Sequence, residues 1–202
     1  MEKNKLFYKL LNYPLVYSLS QRIMSATSFR KNIIKNIIKK KNPYILDIGC
    51  GPGEILETLS DVNYFGFDVN KNHINFAKEK YRNKGIFKCS KFSSKKINKI
   101  IKFDYVLLLG LLHHLNDKQS YFLLSEIKKV LKKNGMLITL DNIYIKNQNI
   151  IAKKLIDLDK GQNVRTKKQY LKILDKDFKK IQCKIYVQKF IPYTWFVSKS
   201  YL

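Results

Sequence analysis

Acidic residues are scarce in this chain of 202 residues: 15 Asp and Glu stand against 40 Lys and Arg, for a formal net charge of +25. Charge of that size suits an anionic partner, nucleic acid above all. Arginine is scarce too, with only Arg22, Arg30, Arg82 and Arg165 present. The lysines are dispersed as doublets such as Lys95–Lys96 and Lys179–Lys180, and only Lys39–Lys41 makes a longer run. Nucleic-acid binders concentrate charge and favour arginine forks for phosphate. With alanine also scarce and Ile and Asn heavily used, the lysine excess reads as the codon bias of an A/T-rich genome. Nucleic acid is therefore the second reading of the partner, behind a small molecule.

Cysteine is limited to Cys50, Cys89 and Cys183, with no CxxC pair. That excludes a disulfide framework and a cysteine zinc site, and suits a reducing cytoplasm. Long apolar runs are missing. The stretch LFYKLLNYPLVYSL is broken by Lys9, Asn12 and Pro14, so neither a membrane span nor a signal peptide is expected. It suits an amphipathic helix lying on the protein itself or on a membrane surface. No linker, repeat or low-complexity tract divides the chain. One structural domain is expected, with residues 1–42 as an N-terminal helical cap and 43–202 as the main body.

Apolar and turn patterns alternate along that body. A helical stripe in SFRKNIIKNIIKK (28–40), capped by Ser28, leads to Pro43. Strands follow at YILDI (44–48), YFGFD (64–68), IFKC (86–89), FDYVLLLG (103–110) and MLITLDNI (136–143). Helices are expected at 54–60, at 70–81 behind Asn70, from Asp117 to Asn134–Gly135, and over about 148–159. Residues 91–102 read as a polar helix or loop, and TKKQ (166–169) as a capping box opening a further helix. Two β-segments, 179–188 and 190–200, close the chain. This order predicts an α/β fold with a mostly parallel sheet and helices on both faces.

The stretch ILDIGCGPGE carries the most information. A buried strand runs straight into Gly49, Gly51 and Gly53, and a helix pattern follows. Glycines let a backbone approach a ligand closely, and in such sheets ligands bind at the carboxyl ends of strands. Asp68 ends the next strand, where a carboxylate can accept both ribose hydroxyls. A dinucleotide would call for G-x-G-x-x-G and an uncharged approach for its pyrophosphate. Here the spacing is G-x-G-x-G, with Asp47 before it and Glu54 after it. Those carboxylates repel a pyrophosphate and suit S-adenosylmethionine, whose amino-acid tail and sulfonium are cationic.

On these residues the chain resembles the class I S-adenosylmethionine-dependent methyltransferases of the bacterial small-molecule type. The resemblance runs over about residues 43–145, through ILDIGCGPG, FGFDVN, FDYVLLLGLLHHLND and EIKKVLKKNGMLITLDN. It implies a Rossmann-like doubly wound sheet of seven strands in the order 3-2-1-4-5-7-6, the last antiparallel. It implies S-adenosylmethionine as cofactor, with the methionine part wrapped by Asp47, Gly49, Cys50, Gly51 and Gly53 and the ribose on Asp68. Backbone at Gly110 and Leu111 would lie along the cofactor. The family often places an Asp after the third strand for adenine. Here FKCSKFSS puts Ser90 and Lys91 there, leaving Ser90 or backbone for that contact and Val69 and Phe92 for stacking.

Methyl transfer to a hydroxyl needs a base, and histidine suits the task. LLHHLND resembles the L-H-x-W-x-D stretch of small-molecule O-methyltransferases, which implies His113 as base with His114 beside it. The alternatives are ordinary loop histidines, or a metal pair without a third ligand at suitable spacing. For a substrate, Asp141 at the end of the fifth strand, Arg165 and Tyr17 are candidates, with Gln21 and Tyr193 as further lining. Arg165 could fork a carboxylate or phosphate, or pair internally with Asp159. The expected acceptor is a hydroxyl oxygen of a sugar, glycan precursor or secondary metabolite, acted on by a monomer or homodimer. An RNA methyltransferase and a non-catalytic S-adenosylmethionine-binding protein are the alternatives; the D/N-P-P-Y/F motif of base-nitrogen methylation is absent after the fourth strand.

Overall fold

A computed structural model of the chain describes Tyr13 and residues 26–157, 162–188 and 193–202. It divides into two compact units, Met1–Phe92 and Ser93–Leu202.

The described part of the first unit holds α1 (Ala26–Ile37), β1 (Tyr44–Ile48), β2 (Asn63–Asp68), α2 (Lys71–Tyr81) and β3 (Ile86–Cys89). Its strands run parallel in the order β3-β2-β1. Ile45, Leu46 and Ile48 are all buried, as a parallel strand covered on both faces requires. Ile48 stands beside Phe67, and Asp68 beside Cys89. The register therefore brings Gly49, Asp68 and Ser90 to one edge, at the carboxyl ends of the three strands.

Asn70 caps α2 as expected, its side chain accepting from Asn72 N at 3.0 Å and His73 N at 3.3 Å. Ser28 does not cap α1, because the helix already begins at Ala26. Residues 54–60 form only a 3-10 turn, Glu54–Thr58. That turn is tied down by side chains. Glu57 accepts from Lys31 at 2.5 Å, Lys80 at 2.6 Å and the Tyr81 hydroxyl at 2.9 Å. Against the upward push of partial burial, these donors hold its carboxyl down to about 2.

The second unit holds β4 (Phe103–Leu109), α3 (Asp117–Val130), β5 (Leu131–Tyr144), α4 (Ile150–Asp157), β6 (Arg165–Thr166), α5 (Lys167–Asp175), β7 (Lys180–Val187) and β8 (Thr194–Tyr201). The order is β4-β5-β8-β7, with β8 antiparallel to both neighbours. Taken separately, the two units follow the two halves of the expected order. The short β6 is an addition to the expected seven strands, lying parallel to the end of β5 with Ile143 beside Arg165. Tyr170 stacks on Phe196 at 5.0 Å, and both are buried with Trp195 and Phe178.

Both expected helix starts hold. Asn116 and Gln119 make a capping box before α3, and Thr166 and Gln169 make one before α5. The expected end of α3 at Asn134–Gly135 does not hold. The helix stops at Val130 and runs directly into β5. Lys132–Gly135 lie in an irregular stretch between the pairs Phe103–Leu131 and Tyr105–Met136. A side chain at position 135 would meet Leu131 Cδ1 at 2.8 Å and the Phe103 carbonyl oxygen at 2.9 Å. Gly135 thus serves a close backbone approach, not a helix end. Residues 91–102 are irregular apart from a 3-10 turn, Ser94–Lys96.

Buried Glu126 on α3 anchors that irregular segment. It accepts from Ser93 Oγ at 2.9 Å, Ser94 N at 2.8 Å and Ser94 Oγ at 2.8 Å, and pairs with Lys129. Lys129 foremost, then these donors, bring its carboxyl down to about 2. A carboxyl lowered on folding stabilises above its ordinary pKa, and the contribution disappears as pH falls through the folded value. Glu126→Gln is expected to lower unfolding stability by about 1–3 kcal/mol near pH 7. The gap from wild type should close between about pH 4.5 and 2, read from urea titrations at several pH values.

Candidate functional site

The loop after β1 is built on left-handed backbone: φ is 77° at Gly49, 53° at Gly51 and 78° at Gly53. Residues other than glycine rarely adopt these angles, so the spacing G-x-G-x-G is a conformational requirement here. Gly49 N and Cys50 N donate to the Phe67 carbonyl at 2.7 and 3.1 Å. Gly51 N then donates to Asp68 Oδ2 at 2.8 Å, while Asn70 N donates to Asp68 Oδ1 at 2.8 Å. Asp68 therefore shapes the loop as well as facing its edge. Each of its oxygens keeps acceptor capacity, enough for a vicinal diol.

Asp47 lies beneath this loop and is 2% exposed. Tyr64 donates to its Oδ2 at 2.7 Å, and its Oδ1 has no hydrogen-bond partner. Burial, opposed by the Tyr64 hydrogen bond and by Arg30, pushes this carboxyl up to about 7. A buried carboxylate oxygen without a donor fits a cationic or N–H-bearing ligand group. Gly66 supplies clearance for the loop, since a side chain there would meet Cys50 Sγ at 2.9 Å. Tyr64 and Gly66 were missed from sequence; a glycine inside a strand is the available signal for close approach.

Ser90 and Asp68 are half-buried and Val69 is exposed, all on the same edge as the loop. Phe92 is not a stacking surface. It is buried and meets Phe67 edge-on at 5.3 Å. A cavity of about 680 Å³ in this unit is lined by Lys35, Lys39–Lys41, Asn42 and Asp61. It sits where the chain enters β1 and β2, the opposite end from the glycines.

In the second unit Gly110 (φ 86°) leaves β4, donating to the Leu140 carbonyl at 2.7 Å. Half-buried Leu111 follows, and then a 3-10 turn, Leu112–His114. His113 is buried and His114 exposed, their rings 4.1 Å apart. Asp141 Oδ1 accepts from His113 N at 3.1 Å and lies 2.7 Å from His113 Nδ1. An ionised carboxylate can only accept, so Nδ1 is the donor in this pair. Among the described residues no three His, Cys, Asp or Glu side chains gather as metal ligands.

Three substrate expectations need correction. Asp141 is fully buried and holds His113, so it does not face a substrate. Arg165 is 5% exposed, and all five of its N–H donors are used within the chain. They go to the carbonyls of Leu112, Leu115 and Asn163 and twice to Asp117. Its ionic partner is Asp117, at 2.8 Å; Asp159 lies outside the described residues. Tyr193 is core, its hydroxyl accepting from Asn142 Nδ2 at 2.8 Å. Tyr17 and Gln21 also lie outside the described residues. No helix among the described residues is long and apolar enough to cross a membrane.

The model of a family described as "Methyltransferase domain" matches residues 39–197. An uncharacterised protein of Methanocaldococcus jannaschii is 32% identical over 166 residues, which cover 77% of this chain and 60% of that protein. The ubiquinone biosynthesis O-methyltransferase of Pelagibacter ubique is 34% identical over 119 residues, 54% of this chain and 48% of its own length. The chain thus spans about half to three fifths of the length of these two relatives. The structure of human N-acetylserotonin methyltransferase, solved in complex with SAM, superposes with a TM-score of 0.69 at 16% identity. The match covers 97% of this chain and 58% of that one, a likeness of fold.

The buried state of Asp47 has a measurable consequence. Its carboxyl is higher in the folded chain than its ordinary 3.8, so folding loses stability as pH rises towards about 7. Above that the full penalty of burying the charge is present. Asp47→Asn is expected to stabilise the ligand-free protein by about 2–4 kcal/mol at pH 8. The gain should shrink steadily on going to pH 4, as followed by chemical denaturation across that range.

Proposed function

The chain belongs to the methyltransferase-domain family, and on that premise we propose that it transfers a methyl group from S-adenosylmethionine to a hydroxyl oxygen of a small molecule. The observation that carries the oxygen assignment is the buried pair His113 Nδ1–Asp141 Oδ1 at 2.7 Å. A carboxylate or thiolate acceptor needs no base, whereas a hydroxyl must lose a proton as the O–C bond forms. An imidazole whose Nδ1–H is fixed on a carboxylate presents Nε2 for that proton, and the carboxylate stabilises the imidazolium that results. The Pelagibacter relative is named an O-methyltransferase, in keeping with this reading.

The residues after β1 suit the cofactor. When bound, S-adenosylmethionine supplies a methyl carbon activated by a positively charged sulfur. Gly49, Cys50, Gly51 and Gly53 would cradle its amino-acid end, and the unpartnered Asp47 Oδ1 is the acceptor for its ammonium. Asp68 would take the ribose hydroxyls, with Ser90 and the exposed Val69 at the adenine. Backbone at Gly110 and Leu111 is assigned to the cofactor as well. His113 is the base, and His114, exposed beside it, borders the acceptor. The acceptor class favoured is a hydroxylated sugar, glycan precursor or secondary metabolite.

The test uses S-adenosylmethionine labelled on its methyl group and a panel of phenols, catechols and sugars. Label should appear on an oxygen of at least one compound. His113→Gln is expected to lower that turnover about 10²-fold or more while leaving cofactor affinity by calorimetry within about two-fold. Unchanged turnover in that variant would refute His113 as base. Failure of the wild-type protein to bind cofactor below millimolar concentration would refute the activity itself.

A further inference from the structure

The turn that carries His113 is short and weakly held by its own bonds. Within it, His114 N donates to the Leu111 carbonyl at 3.0 Å and Leu115 N to the Leu112 carbonyl at 3.1 Å. Asp141 Oδ1 accepts from His113 N at 3.1 Å, and the carbonyls of the turn are held from one segment some fifty residues later. Arg165 Nη1 donates to the Leu112 carbonyl at 2.9 Å, and Nη2 to the Leu115 carbonyl at 2.7 Å. The carbonyl between them, that of His113, accepts from Asn163 N at 2.9 Å. Nε and Nη2 also reach Asp117 Oδ1 at 3.1 and 2.8 Å, which ties the same guanidinium to the start of α3. The fifth donor closes back on the Asn163 carbonyl at 3.0 Å.

Strand pairing gives this clamp its reference frame. Arg165 stands beside Ile143 on β5, and Asp141, the partner of the imidazole, precedes Ile143 by two positions on the same strand. The carboxylate and the guanidinium are therefore both registered to β5. Asp141 holds the ring and the backbone N of His113, and Arg165 holds the Leu112 and Leu115 carbonyls on either side of it. On this basis we infer that Arg165 is a positioning residue, which holds the 112–115 turn so that His113 keeps a single tautomer against Asp141. The inference rests on the reading of His113 as the base for its consequence in turnover, but not for its geometry.

Lysine cannot take this place. Its three donors radiate from one point, whereas the planar fork spans carbonyls on both sides of the turn with five. In a chain where lysine dominates, an arginine at this position agrees with that demand. Tyr170 completes the surroundings, its ring 5.9 Å from the guanidinium carbon. Its hydroxyl, held protonated by burial, donates to the Asn142 carbonyl at 2.9 Å.

The chain has three histidines, at 73, 113 and 114, so histidine-selective ¹⁵N labelling gives a readable spectrum that needs no acceptor. Long-range proton–nitrogen correlation distinguishes an Nδ1–H ring from an Nε2–H ring, with assignment by His113→Gln and His114→Gln. In the wild type His113 should appear as one tautomer with Nδ1 protonated. In Arg165→Lys it should show mixed tautomers, and kcat should fall about ten-fold or more while KM and cofactor affinity move less than about two-fold. A cooperatively folding Arg165→Lys with the wild-type His113 spectrum would overturn the inference. Should Arg165→Lys fail to fold, Asp117→Asn at the exposed start of α3 replaces it. Loosening the guanidinium from that side should broaden or split the His113 signals, and an unaltered spectrum would count against the clamp. The two readings fail separately. Released tautomers in Arg165→Lys with full turnover in His113→Gln would leave the clamp standing and remove the base.

Discussion

In each unit a carboxylate one position past the last residue paired with the preceding parallel strand accepts a backbone N–H from the loop that leaves that strand. Asp68 on β2 takes Gly51 N from the loop after β1, and Asp141 on β5 takes His113 N from the loop after β4. Ile48 pairs with Phe67 and Leu109 with Leu140, so the next side chain on each second strand lies beside the first peptides beyond the first. A loop at such an end has lost its ladder partners and must find acceptors elsewhere. An Asp at that position supplies one that is short, rigid and charged. Its second oxygen is then oriented without further help. In Asp68 it takes Asn70 N and starts the turn into α2. In Asp141 it remains without a partner.

The same device yields different chemistry because the loops differ. After β1 the chain is mostly glycine, and left-handed backbone brings peptide groups rather than side chains to the edge. Such a surface is suited to wrapping a ligand. After β4 the loop carries imidazoles, and Asp141 Oδ1 serves the backbone and the ring of His113 together. The position and the ring orientation of His113 are then set by one atom. Arg165 matters because a turn of three residues has too few internal bonds to keep that aim.

The local signals were legible. The strand YILDI, the cap at Asn70, the start of α3 at Asp117 and the box opening α5 depend on a few neighbouring residues, and they form where the pattern puts them. The glycine spacing with Asp68 was also legible, because both act through backbone geometry. What escaped was set by partners distant in sequence. Asn134–Gly135 has the look of a helix end, yet close approach to the Phe103 carbonyl decides its conformation. Asp141 is expected to end its strand, yet β5 runs on to Tyr144, and a strand pattern does not say whether such a residue faces outward or towards a neighbouring loop 28 positions back. Arg165 was singled out as chemically unusual. The sequence offers an external carboxylate or phosphate, or Asp159, as its partner, whereas Asp117 and the Leu112 and Leu115 carbonyls that it serves lie some fifty residues earlier.

Among the described residues, the buried carboxylate oxygens without a hydrogen-bond partner are Asp47 Oδ1 and Asp141 Oδ2. Leaving a buried acceptor unmade is among the larger penalties a single atom can impose. Other buried polar groups pair directly, as Thr139 does with Ser198 at 2.7 Å, while the neutral Ser120 Oγ and Ser200 Oγ carry the smaller cost of an unmade bond without a charge. The two carboxylates are not placed at random. One lies under the glycine loop and the other under the histidine turn, each on a parallel strand at the end where such sheets bind ligands. A fold selected for stability alone would replace both acids with amides or apolar residues. Their presence at these two places is better explained by what each acid does there. On the function proposed above, one is placed to meet a cationic group of the cofactor and the other to hold the ring of His113.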